Sequence, residues 1–329
     1  MTRQTVRSAR LVSVCLLGKK AIRVRQNRIR TEFALAVIRA MQAADWPPID
    51  AIVFPGGYLR AKGFIGHQTH RERCWALANE GFWSGLKDVS KALERHSKGA
   101  VLAMGCDSAA PNSVEIGDQC CLALTAGKLV GLARKIFPAP LDTVGDYLPI
   151  VPALPDYSSR YRFVGLPNGQ QAMLAACYDL FGLSEDRPKP GARSRHIRAL
   201  WDDGRYFDGH QARRTREQAV SAWRGLLVAQ RPRLALCAIH GFKRPGLDGF
   251  WQRHGIATAS AALKGGLVVG AAHFAANLPK PEASTLASVR VPAWHIEAGL
   301  NRQARRLTPV DAFELHHAGL SALVRLFER

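Results

Sequence analysis

The sequence predicts an α/β protein built on mixed β-sheet, and two patterns carry that expectation. Apolar, β-rich runs alternate with helix-periodic segments through most of the 329 residues, as layered α/β architecture requires. The runs Gln119 to Thr125 and Leu129 to Ile136 flank Ala126-Gly127-Lys128, a short turn of the kind that joins an antiparallel hairpin. Such a hairpin argues against a purely parallel sheet.

The elements follow in chain order. Leu11 to Leu17 is a continuous apolar run and reads as a buried first strand. Glu32 to Ala44 places Phe33, Val37 and Met41 on one helical face, and Asp45-Trp46-Pro47-Pro48 stops it. Asp50 to Phe54 is a second buried strand, ending in the turn at Pro55-Gly56-Gly57, and Glu72 to Arg95 reads as largely helical. The strand Ala100 to Gly105 precedes the hairpin. After an irregular stretch from Pro138 to Pro155 come the strand pair Tyr161 to Val164 and Gln171 to Cys177. The polar, arginine-dense segment around 184–215 reads as a basic surface insertion, opened by Pro188-Lys189-Pro190-Gly191. A helix over Arg216 to Ala229, a strand over Arg233 to Ile239, a helix over Gly249 to Ala262 and a strand over Gly266 to Ala272 complete the alternation. No repeat or low-complexity tract divides the chain, and 1–329 is expected to form one domain.

Composition narrows the function classes. Hydrophobic residues make up 47% and charged residues 22%, ordinary globular values, and no run of about 18 apolar residues exists to span a bilayer. Seven cysteines without a Cys-x-x-Cys pair or a zinc-like His/Cys spacing give neither a disulfide framework nor a structural metal. A reducing cytoplasm is therefore expected, with no metal and no cofactor. The formal charge of +20 creates a positive field attractive to nucleic acid or acidic ligands. No helix-turn-helix, zinc-finger or RNP-like pattern gives that charge a reading head. Arg213, Arg214 and Arg216 read as a solvated helix start, and Trp201, Trp223, Trp251 and Trp294 as core or rim packing.

Chemistry gathers at the ends of the apolar strands. A cysteine becomes nucleophilic on a sharp turn beside a cation or a base, and Ala172-Met173-Leu174-Ala175-Ala176 leads directly into Cys177-Tyr178-Asp179. There Asp179 can hold the amides of the turn. Upstream lie Gly131-Leu132-Ala133-Arg134-Lys135-Ile136-Phe137-Pro138 and, earlier still, Asp50-Ala51-Ile52-Val53-Phe54-Pro55.

Three strand-end motifs in this order resemble the nitrilase, or carbon-nitrogen hydrolase, superfamily, whose members carry Phe-Pro-Glu, then Arg-Lys-x-His-Leu, then Cys-Tyr-Asp. The resemblance extends over most of the chain, although the family's late Arg-Ala-x-Glu-Asn core is not recoverable. It implies a four-layer α-β-β-α sandwich of two mixed sheets, a homo-oligomer, and cleavage of nonpeptide C–N bonds in small amides, carbamoyl compounds or nitriles through a cysteine thioester-type intermediate. It also implies that Cys177 is the nucleophile and that Lys135 stabilises developing negative charge. Gly56, in Phe54-Pro55-Gly56-Gly57-Tyr58, occupies the position of the family's basic glutamate. The second glutamate of many members has only Asp156 and Ser158 loosely nearby, and Leu180 stands where an arginine often follows the elbow.

Asp107, just past a strand end, is the best-placed substitute base, with His67 and His70 as alternatives; Gly56, Tyr58, Tyr178 and Asp179 are expected to line the site. If relatives' geometry is kept, Gly56 leaves a void beside Cys177 that a glutamate fills. Three functions compete: a divergent C–N hydrolase, a noncatalytic binding protein on the same scaffold, and a basic nucleic-acid-associated protein.

Overall fold

The computed structural model describes residues 8–23, 26–62, 69–109, 116–136, 159–183, 221, 225–263, 265–275, 284–295, 297 and 303–329. Strand β1 (Arg10–Leu17) lies at the fork of the sheet. On one edge it pairs antiparallel along its whole length with β14 (Leu320–Glu328), which is hairpinned to β13 (Asp311–His317). On the other edge Leu11 to Ser13 pair in parallel with β2 (Ala51–Val53), and Leu16 and Leu17 pair with β10 (Leu267–Phe274). From that fork two halves diverge.

The first half continues from β2 to β4 (Val101–Ala109), β5 (Ile116–Thr125) and β6 (Lys128–Arg134), with β3 (Leu59–Ala61) added beside the far end of β4. The second runs from β10 to β9 (Leu234–Phe242), β8 (Gln171–Ala176) and β7 (Phe163–Gly165), and outward to β11 (Ala287–Arg290) and β12 (Ala304–Arg306). Among the described residues hydrogen bonding joins these strands into one 14-stranded mixed sheet, where the resemblance led us to expect two. The difference is the short β1–β10 pairing alone.

The halves face one another across an apolar seam in which Val53, Ala103 and Ala123 oppose Leu174, Leu236 and Val269. Small residues dominate this seam and allow close approach. Helix α2 (Asn27–Ala43) and helix α4 (Trp83–His96) cover the outer face of the first half through Phe33, Val37, Leu86 and Leu93. The short helices Leu247–Trp251 and Ala257–Ala262, joined by a π-helical turn, cover the second half together with the 3₁₀ segment Cys177–Leu183. The layers thus run helix, sheet, sheet, helix.

The hairpin turns at Ala126 and Gly127, both with positive φ (50° and 77°), as a two-residue type I′ turn demands. The helix expected from Glu72 to Arg95 is split into α3 (His70–Ala78) and α4, because α3 ends at Asn79 and the chain turns before Trp83. Helix α1 (Gly18–Arg23) and strands β11 to β14 had no counterpart in the sequence reading. The irregular stretch at Pro138 to Pro155, the insertion at 184–215, His67, Asp156, Ser158, Trp201, Trp223, Arg213, Arg214 and Arg216 lie outside the described residues. Trp251 is buried against Tyr178 and Phe181, whereas Trp294 is 81% exposed and belongs to no core. Among the described residues no helix is long and apolar enough to cross a membrane.

Candidate active site

Cys177 follows β8 directly and adopts φ of 50°, a left-handed conformation that L-residues other than glycine, asparagine and aspartate seldom take. Strain of this kind persists where surrounding structure enforces it. Asp179 supplies the enforcement. Fully buried, it accepts hydrogen bonds from the Ala176 N–H (3.4 Å) through Oδ2 and from the Ile136 N–H (2.8 Å) through Oδ1. It also pairs with the buried Arg162 guanidinium at 3.2 Å, which donates in turn to the Arg134 carbonyl. One carboxylate therefore ties the cysteine turn to the segment carrying Lys135. Its role is to hold the turn rather than to line a substrate surface.

Removing one partner of a buried ion pair strands the other. Asp179→Ala is expected to cost roughly 3–5 kcal/mol of stability, seen as a lower urea midpoint at an unchanged m-value; a loss below about 1 kcal/mol would contradict this account of the turn.

Lys135, buried just past β6, donates to Gln119 Oε1 at 2.6 Å, and its ammonium sits 5.7 Å from the Tyr178 ring centroid. Burial pushes the Cys177 thiol up, but the Lys135 charge and contacts with His240 outweigh it and hold the thiol below its ordinary range. Lys135 and Cys177 thus share one electrostatic environment.

His240 is the residue that the sequence reading missed. It lies near the end of β9, where Nε2 meets Asp107 Oδ1 at 2.9 Å. Its imidazole and backbone N–H lie close enough to Cys177 to favour the thiolate, although Nδ1 makes no hydrogen bond among the described residues. Burial works against the imidazolium, but Asp107 and the Cys177 sulfur prevail and raise its pKa to about 10. Asp107 is buried too, which opposes ionisation, yet His240, Arg60 and Lys135 hold its carboxyl below the usual range. The arrangement places a thiol held below its ordinary pKa, an imidazole held above its own and a carboxyl held below its own in sequence: Cys177, His240, Asp107.

Asp107, expected to be the substitute base, instead orients the imidazole. Gly56 leaves no void. A Cβ there would lie 2.7 Å from His240 Nδ1, 2.9 Å from the His240 backbone N and 3.0 Å from the Ala238 carbonyl, so His240 fills the space assigned to a glutamate. Gly57 has φ of 61°, and a Cβ on it would come within 2.6 Å of Asp107 Oδ2. The two glycines make room for a histidine–aspartate pair that arrives from other strands.

Tyr58 does not line the site. Its hydroxyl donates to the Arg30 carbonyl at 2.6 Å, and its ring packs on Phe54 in the core beneath α2. Tyr178 remains beside Lys135, stacked on Phe181. His70 stacks on Tyr161 and contacts the Cys74 sulfur at 3.3 Å. A further histidine, His273, is buried, and burial, with the charges of Arg30 and His240, drives its pKa down to about 3. No group of metal-ligating side chains occurs among the described residues.

No family model and no curated protein sequence matches the chain. Among solved structures it is similar to an amidase from Nesterenkonia sp., at 12% identity over 97% of this chain and 90% of that one, with a TM-score of 0.47. It is also similar to a carbon-nitrogen hydrolase from Helicobacter pylori G27 (6% identity, 98% of this chain and 89% of that one, TM-score 0.45) and to a CN-hydrolase superfamily protein from Xanthomonas campestris (13%, 81% and 76%, TM-score 0.42).

Proposed function

We propose that this chain is a cysteine hydrolase of nonpeptide C–N bonds in which His240, oriented by Asp107, does the work of the missing glutamate. The observation that carries the reading is an imidazole held by a buried carboxylate at 2.9 Å, in the space beside Gly56, and coupled to the Cys177 thiol.

With an amide, the Cys177 thiolate attacks the carbonyl carbon, and the Lys135 ammonium stabilises the negative charge that develops on oxygen. The imidazolium of His240 gives its proton to the departing nitrogen; the C–N bond breaks, ammonia or an amine leaves, and a thioester remains. Water then attacks the thioester while neutral His240 takes its proton, and the collapse of the second tetrahedral species returns the thiolate and releases a carboxylic acid. Asp107 keeps the imidazole in the tautomer and orientation that both half-reactions need. A nitrile enters the same cycle through a thioimidate.

The reactive pair exists above the Cys177 pKa and below that of His240, which fixes the sign of the pH dependence. The rate constant kcat/KM for a small amide is expected to rise at a pH below the ordinary thiol value and to fall near pH 10, where the imidazolium is lost. Iodoacetamide labelling of Cys177 should likewise persist below pH 8. A profile that climbs through pH 9 like that of a simple thiol would contradict the ion pair, and a Cys177 that resists alkylation in the folded protein would point instead to a noncatalytic binding role.

A further inference from the structure

We infer that Arg60 makes this site selective for amides that carry a carboxylate, the guanidinium holding the substrate's acid group while Cys177 attacks its amide end. The inference rests on the hydrolase reading and extends it to a substrate class.

Position comes first. Arg60 is the middle residue of β3 and lies opposite Asp107 in the pairing with β4. Its backbone is clamped on both sides by the Asn27 side chain, which donates to the Arg60 carbonyl at 2.7 Å and accepts from the Arg60 N–H at 2.9 Å. The guanidinium is therefore anchored at its root, yet its side chain is 41% exposed.

Among the described residues no hydrogen bond engages the Arg60 guanidinium. The guanidinium approaches Asp107 Oδ2 no closer than 3.9 Å, an ion pair beyond hydrogen-bond distance. Oδ2 is itself buried without a hydrogen bond among the described residues. Asp107 thus fixes where the charge sits without occupying the planar fork that matches a carboxylate two bonds at a time. Asp107 is almost fully buried and Arg60 is not, so the guanidinium lies on the solvent side of that carboxylate.

The charge balance points the same way. Among the described residues around the site, Cys177 and His240 neutralise one another, and Asp179 is matched by Arg162. Arg30, Arg60 and Lys135 then face the single carboxylate of Asp107. Arg30 is already committed, donating to the Gly57 and Tyr58 carbonyls, and its charge and that of Arg60 repel. Of the cations, Arg60 is the one that reaches solvent, and an anion there relieves the repulsion. In a partly buried site this favours an acidic substrate over a neutral one of equal length.

The test pairs the monoamides of succinic, glutaric and adipic acids with butanamide, pentanamide and hexanamide, in wild type, Arg60→Gln and Arg60→Lys. An independent arm compares alkylation of Cys177 by iodoacetate and by iodoacetamide. We expect kcat/KM to favour the acidic amide at the best chain length by about 10- to 100-fold, the yield of one charge-assisted contact. Arg60→Gln should abolish most of that ratio, Arg60→Lys should keep part of it, and the iodoacetate-to-iodoacetamide rate ratio should fall in step. Equal turnover of acidic and neutral amides, or equal losses on both in Arg60→Gln, overturns the selectivity and leaves the hydrolase reading intact. Absence of all turnover alongside an Arg60-dependent preference for iodoacetate keeps the anion recognition and sinks hydrolysis. With neither turnover nor reagent preference, both fall.

Discussion

Replacing His240 with glutamine is expected to lower amide turnover about 100- to 10,000-fold, the range that a positioned general acid–base supplies. Glutamine retains a polar group of similar reach, so the fold should survive, but it neither carries the imidazolium charge nor shuttles a proton. The thiol should move back towards its ordinary pKa because the contacts that hold it down include His240. Labelling by iodoacetamide near pH 6.5 should therefore slow in the same variant. Asp107→Asn should show a related defect, since the amide can present the wrong hydrogen-bonding partner to Nε2. Cys177→Ala is the zero of the scale. Activity of His240→Gln within about threefold of wild type would remove histidine from the mechanism.

Substitution of Gly56 is expected to be damaging, contrary to the void expected there from sequence. The space that a side chain would need is already filled by the His240 ring and by backbone from β9. Gly56→Ala should cost about 1–3 kcal/mol through overpacking and push the imidazole off Asp107, with loss of low-pH alkylation. Gly56→Glu should inactivate the protein rather than rescue it. Removing the ring with His240→Ala should relieve only part of the stability loss, because the contacts at 2.9 and 3.0 Å are to backbone atoms. A Gly56→Glu variant as active as wild type would show that the turn can open, and the glutamate reading would return.

The strands and the cysteine turn were legible because both leave local marks. Apolar runs such as Leu11 to Leu17 and Ala172 to Ala176 can satisfy burial only inside a sheet, and Asp179 two residues past Cys177 is placed to hold a turn. Lys135 was singled out only through the resemblance of its strand-end motif to a known family. His240 stands directly after the apolar run Leu234 to Ile239, but a polar residue there looks like the end of a strand. In fact β9 continues to Phe242, and the histidine is internal to it. The void at Gly56 was misjudged for a different reason. What fills it comes from β9, far along the chain, and no local pattern records such a contact. Tyr58 was placed by sequence proximity to the turn, whereas the chain reverses at Gly56 and Gly57 and carries the ring into the core, its hydroxyl on the Arg30 carbonyl. Strand β13 escaped notice because as an edge strand it is largely exposed, so only Phe313 and Leu315 mark its period.

The pairing of β1 with β14 carries a consequence for how the molecule reaches this state. Arg10 is registered with Glu328 and Leu17 with Ser321, and Ala9 and Arg329 exchange backbone hydrogen bonds in both directions. The partner of β1 is thus synthesised long after β1 itself. Until then one full edge of β1 stands open, an apolar template for illegitimate strand addition. Contacts of such long sequence separation also slow folding. A nascent or C-terminally shortened chain should therefore depend on chaperones and aggregate where the full chain does not.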